Sequence, residues 1–256
     1  RERLDSMTFG ITKHHLPKEQ HDQFVYHTHH DPHQYTSSLA DVILGGQDGL
    51  VNVLGIVLGV AAATSDPRIV LVAGLAATFA ESVSMAAVAY TSTLAETGHY
   101  ESEREREYRH VQMVPAVERE EIRAIYRRKG FDGELLDQIV EKITANEDVW
   151  VGVMMAEEHQ LTPTSRRDAL RSALIVGLAA LVGSLIPLVP FMFLPAATSI
   201  WVSLLTAAST LFAVGVYKAR TTVGHPGKSG LEMAVIGIVS ALVGYLVGIL
   251  LKVPEA

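Results

Sequence analysis

Five apolar stretches, each long enough to cross about 30 Å of hydrocarbon as a helix, constrain this 256-residue chain more than any other feature. They run approximately over Val42–Ala63, Ile69–Leu94, Ala169–Leu188, Phe191–Tyr217 and Leu231–Leu251. A buried helix of a soluble protein can imitate one such stretch. Five of them, each almost free of charge, predict an all-α polytopic membrane protein with five transmembrane helices. With 48% hydrophobic and 19% charged residues, the two kinds must be segregated along the chain. No signal-peptide pattern precedes Val42, and Arg1 in place of an initiator methionine leads us to expect a trimmed N-terminus.

The charged residues do collect. Residues 1–40 form a polar tail with seven histidines, His14, His15, His21, His27, His29, His30 and His33. Histidine-rich tracts can gather metal, but this irregular spacing defines no geometry, and a flexible tail with incidental histidines is the alternative. Residues 96–168 hold 17 acidic and 11 basic side chains, which predicts a soluble helical insert between the second and third spans. The second span should continue as a charged helix toward His110 until Pro115 interrupts it. Helices near Val117–Lys129, Glu134–Thr144 and Asp148–Leu161 should follow, with Gly130 as a C-cap, Asp132 as an N-cap and Pro163 as a stop. The expected plan is a tail (1–40), two spans (41–95), the insert (96–168) and three spans (169–253).

With five spans, the tail, the insert and the 218–230 loop share one side, which carries nearly all the lysine and arginine. Only Arg68 and Lys252 fall on the other. Short cytoplasmic segments retain positive charge, so the tail and insert are expected in the cytoplasm and the C-terminus on the opposite side. A net charge of −7 argues against a nucleic-acid partner. There is no cysteine, so any metal must use carboxylate, imidazole, thioether or backbone oxygen. Such ligands suit Fe(II), Mn(II) or Zn(II) better than Cu(I).

Two acids sit deep inside the apolar stretches, Asp48 and Glu81. A carboxylate at mid-bilayer costs about 2.5 to 3.5 kcal/mol or more, so it normally faces a cavity or bundle interior and marks a transport path. Asp48 lies seven residues beyond Asp41, roughly 10 Å deep at about 1.5 Å per residue. The returning second span brings Met85 to a similar depth, with Glu81 one turn deeper on the same face. The alternative is that these groups act as polar packing devices between helices. In the insert, Glu107 and His110 are three apart, as are Glu118 and Glu121. Carboxylate–metal bundles use this spacing, and a solvated acidic face shows it too.

The stretches DVILGGQDGLVNVLGIVLGVA and VLVAGLAATFAESVSMAAVAY, the following MVPAVEREEI, the paired methionines with Glu158, and IPLVPFMF lie in order along the chain. Together they resemble the vacuolar iron transporter family over most of residues 38–253. The resemblance implies a five-helix homodimer that exchanges cytosolic Fe(II), and often Mn(II), for protons. It implies that Asp48 and Met85 line the path. Well-known members carry the second-helix glutamate where Ala77 stands here, and the acid one turn later, Glu81, looks like that of a prokaryotic branch. Asn52 stands where those members have a helix-kinking proline, so a bend would have to come from Gly49 or Gly55.

By the same resemblance the insert binds metal through Glu107, Glu118, Glu121, Met154, Met155 and Glu158, with His110 where a further glutamate is usual. The methionine pair, flanked by charged residues, is expected to be exposed. The pairs Gly45/Gly49, Gly55/Gly59 and Gly244/Gly248 offer small faces for close helix contact. The chain is thus expected to be a proton-coupled metal transporter and not an enzyme, with no prosthetic group. Its expected partners are divalent metal ions, protons, the lipid bilayer and a second copy of itself, in a prokaryotic plasma membrane. A membrane-anchored metal sensor or buffer is the alternative. A di-metal redox enzyme is a weaker one, since only one Glu-x-x-His occurs.

Overall fold

Only three residues, 64–66, separate two long helices. In this computed structural model, which describes residues 36–64 and 66–251, helix α1 covers Thr36–Ala63 and α2 covers Pro67–Met113. The α2 start is fixed by Asp66, whose side chain accepts from the Arg68 N–H at 2.8 Å, with Pro67 in the first turn where a missing N–H costs nothing. The histidine-rich part of the tail lies outside the described residues. The chain divides into two units, Arg1–Ala40 and Asp41–Ala256, and every site considered below lies in the second.

At 47 residues, α2 is both the second apolar span and a charged extension. It ends where Pro115 was expected to end it. Three shorter helices follow, α3 (Pro115–Arg128), α4 (Gly133–Thr144) and α5 (Glu147–Glu157). They pack with the distal part of α2 around Val111, Ile122, Ile125, Leu136, Val140 and Val151. The α3 end is a Schellman turn. Phe131 N–H reaches the Tyr126 carbonyl and Gly130 N–H the Arg127 carbonyl, with Gly130 at φ +93°. Asp132 precedes α4 but makes no side-chain cap; Asn146 does cap α5, accepting from the Val149 N–H.

Ser165 and Asp168 form a reciprocal capping box that starts α6 (Arg166–Leu185). A 3-10 turn (Ile186–Leu188) and a short helix, α7 (Val189–Phe193), prolong it. The last two helices are α8 (Ala196–Thr221) and α9 (Pro226–Leu250). The fourth span therefore begins at Ala196 and not at Phe191, because Pro187 and Pro190 tighten the chain into turns that belong to the third span. Ser203 of α8 donates to the Pro187 carbonyl, and Ser199 adds a second donor to the Pro190 carbonyl, which also accepts from the Leu194 N–H. Among the described residues, five helices are long and apolar enough to cross a membrane.

Glycines let α1 lie against two neighbours at backbone distance. A Cβ on Gly45 or Gly49 would overlap the Val176 or Ala180 carbonyl of α6, and one on Gly244 or Gly248 would overlap the Gly55 or Gly59 carbonyl of α1. All three small-residue pairs are thus used within the chain. Gly49 and Gly55 serve as packing contacts inside a helix that runs on through Asn52.

Candidate functional site

Two polar clusters stand out, one between apolar helices and one in the insert. In the first, Asn52 on α1 lies one turn beyond Asp48, so both side chains share a face. Asn52 Nδ2 donates to Asp48 Oδ2 at 3.2 Å and to Glu81 Oε1 of α2 at 3.1 Å. One amide nitrogen, with its two hydrogens, thereby ties together the two acids of the apolar segments. Asn52 also lines a groove of about 520 Å³ between α1 and α9, with Gly55, Gly59, Ser240 and Gly244. Met85 is half-buried one turn along α2 from Glu81. Ala77, where an acid would stand in well-known family members, packs against the apolar core instead.

The second cluster is built by α2, α3 and the end of α5. Glu107 and Glu118 are 3% and 4% exposed, so they are core residues and not a solvated face. His110 Nδ1 is 3.8 Å from Glu107 Oε1 and 3.4 Å from Glu118 Oε1. One ligand atom from each of the three lies within 4.8 Å of the others. Metal–ligand bonds of about 2.1 Å place neighbouring ligand atoms roughly 3.0 to 3.4 Å apart, so small side-chain shifts would close this set around one ion. Glu107 Oε2 and Glu118 Oε2 are buried and find no hydrogen-bond partner among the described residues. Orphaned carboxylate oxygens are costly, and a cation is one partner that would satisfy them.

Glu121 and Glu158 complete the acidic surroundings. Burial pushes the Glu118 carboxyl up to about 7, helped by the charges of Glu121 and Glu107, a hydrogen bond shared with Glu121, and Glu158. Partial burial, then Glu121, hold Glu158 above the ordinary carboxylate range, while His159 and Arg128 pull it back.

Two expectations need correction or extension. Met154 and Met155 are not exposed; at 0% and 1% exposure they fill the core of the insert beside Trp150 and Val151. The flexible thioether suits such packing. The structure also adds His159, whose Nε2 meets Glu107 Oε1 at 3.1 Å. α5 stops at Glu157, and Gln160 at φ +55° turns the chain, which places His159 against α2. Helical spacing could not show this; the Glu157-Glu158-His159 run was the only signal.

Acids bridged between apolar helices and a buried carboxylate–imidazole cluster in a helical insert define a class: a multi-pass helical membrane protein built to handle cations. The VIT family model matches residues 39–249, and the chain belongs to that family. It is 32% identical over 226 residues to vacuolar iron transporter 1 of Oryza sativa subsp. japonica, covering 86% of this chain and 88% of the rice protein. It is 33% identical over 223 residues to vacuolar iron transporter 1 of Tulipa gesneriana, covering 84% and 89%. The vacuolar iron transporter of Plasmodium falciparum (isolate 3D7) is 31% identical over 251 residues, covering 93% and 91%. These relatives are plant and parasite proteins, and they lend no support to a prokaryotic branch.

Proposed function

We propose that this chain is a transporter, not an enzyme, that carries Fe(II), and Mn(II) through the same oxygen-rich ligands, out of the cytoplasm in exchange for protons. The observation that carries the proposal is the bridge of Asp48, Asn52 and Glu81 between two apolar helices. Two carboxylates kept there at a cost of several kcal/mol need a partner that repays them, and a divalent cation passing between them is one. The relatives' names support iron as cargo. The one-sided distribution of lysine and arginine supports a cytoplasmic insert, and the family resemblance supports a homodimer.

In this scheme Glu107, His110, Glu118, Glu121 and Glu158 capture the ion. Met154 and Met155 support them from the core, where a thioether can turn toward the ion. Asp48, Glu81 and Met85 then pass it along the path, with Asn52 holding the acids in register. A divalent cation keeps the carboxylates ionised; its departure lets their proton affinity rise, and protons entering from the far side reset them. Exchange follows from that competition.

Metal uptake into proteoliposomes under an imposed pH gradient tests the scheme. Asp48→Ala and Glu81→Ala should each abolish most of the flux, whereas undiminished flux in both would sink the path. A metal buffer or sensor is the second reading, favoured by the buried insert cluster, which could serve either role. Its signature is binding without flux in the parent protein.

A further inference from the structure

We infer that His110 and His159 are both metal ligands in the insert, making it a mixed imidazole–carboxylate site that favours Fe(II)- and Zn(II)-like ions over Mn(II). This deepens the proposal that the insert captures the transported ion, and rests on it. The two histidines come from separate places, His110 from the last turn of α2 and His159 from the turn after α5. Both converge on the same oxygen, Glu107 Oε1, at 3.8 and 3.1 Å. These separations, and the 3.4 Å from His110 to Glu118, are near the roughly 3.0 to 3.4 Å edges of a coordination shell with bonds of about 2.1 Å.

An acidic cluster alone would carry little weight. What points inward to a ligand is the pair of buried carboxylate oxygens, Glu107 Oε2 and Glu118 Oε2, that find no partner among the described residues. Both belong to side chains more than nine-tenths buried. The hydrogen bond between His159 and Glu107 Oε1 and the 3.4 Å approach of His110 to Glu118 Oε1 involve the other oxygens, so they leave this deficit in place. A cation drawn in by the orphaned oxygens meets His110 within the Glu107–His110–Glu118 group, with His159 standing 3.1 Å from Glu107 Oε1; a neutral ring holds one N–H and one lone pair, so the nitrogen turned to the ion takes the lone pair and the hydrogen moves to the other. Imidazole suits Fe(II), Zn(II) and Ni(II), whereas an all-oxygen set suits Mn(II) and Mg(II). Two histidines among the glutamates therefore shift the preference of the site.

The test uses the full-length protein in detergent micelles with 13C-labelled histidine rings, His110→Gln and His159→Gln serving to assign the two signals. Zn(II) added to saturation should move both assigned rings, and the Zn(II)-to-Mn(II) affinity ratio should fall about ten-fold or more in the double variant His110→Glu/His159→Gln. Zn(II) binding that leaves either ring unmoved, or a ratio preserved within about three-fold, would overturn the assignment while sparing the capture role of the insert. If neither metal's affinity responds to Glu118→Ala, the capture role itself fails, and the histidine assignment with it.

Discussion

Glu118→Gln separates what the insert loses without metal from what it gains with it. In the folded chain the Glu118 carboxyl is pushed up from 4.5 to about 7, chiefly by burial and then by Glu121 and Glu107. The unfolded chain would release this proton near 4.5. Between those values the folded state binds the extra proton, so the apo protein loses stability as pH rises through that window and carries the full penalty above it. At about 1.4 kcal/mol per unit the penalty is on the order of 3 kcal/mol above pH 7. Glutamine keeps the shape and one acceptor without the charge. The variant should match the parent near pH 4 and exceed it in stability at pH 8 when a chelator is present.

Trp150 is buried in the insert core while Trp201 is exposed on α8, so a Trp201→Phe background makes Trp150 fluorescence report on the insert alone. On heating at pH 8 the Glu118→Gln melting midpoint should lie roughly 10 °C or more above the parent, given a few degrees per kcal/mol for a unit of this size. Mn(II) at about 100 times its dissociation constant should return about 2.7 kcal/mol to the parent and markedly less to the variant. Equal pH slopes in the two proteins would refute the account of Glu118 as a buried, charge-crowded acid.

Other consequences are direct. Asn52→Leu should cut metal flux severely while leaving monodisperse protein in detergent, because it removes the donor shared by Asp48 and Glu81; flux near the parent level would show that the bridge is incidental. Gly183→Val should lower the melting temperature sharply, since even a Cβ there would overlap the Gly46 carbonyl, whereas Gly98→Ala, with nothing within 4 Å, should be neutral or stabilising by up to about 1 kcal/mol. A thermal-shift measurement on the purified pair checks both.

Much of the architecture was legible because apolar length and proline placement act locally. Thr64 to Arg68, Pro115, Gly130 and Pro163 marked element ends that the structure places within a few residues. The start of the fourth span was not legible, since the run through Pro187, Pro190 and Phe193 stays apolar while its backbone changes from helix to turns. Burial was the harder quantity. Met154 and Met155 sit among charged neighbours in sequence, yet α5 turns that face onto α2 and α3. His159 was invisible for a related reason: its position depends on a left-handed turn at Gln160, which no helical periodicity encodes.

Two departures from the family pattern, Asn52 in place of a proline and an acid at Glu81 instead of position 77, each cast doubt on the path when read alone. In the fold they touch, through the 3.1 Å hydrogen bond from Asn52 to Glu81. A proline at position 52 has no side-chain donor and could not join the acids. Moving the acid by one turn shifts it by about 6 Å along the helix, and in this chain the shifted acid meets a residue one turn from Asp48 whose amide can serve both. An isolated asparagine or a displaced glutamate would each be an unpaired polar group in an apolar setting. Together they satisfy one another, and Asn52 ties the carboxylates of Asp48 and Glu81 to one amide between α1 and α2. On the proposed path, Asn52 and Glu81 therefore act as one hydrogen-bonded unit.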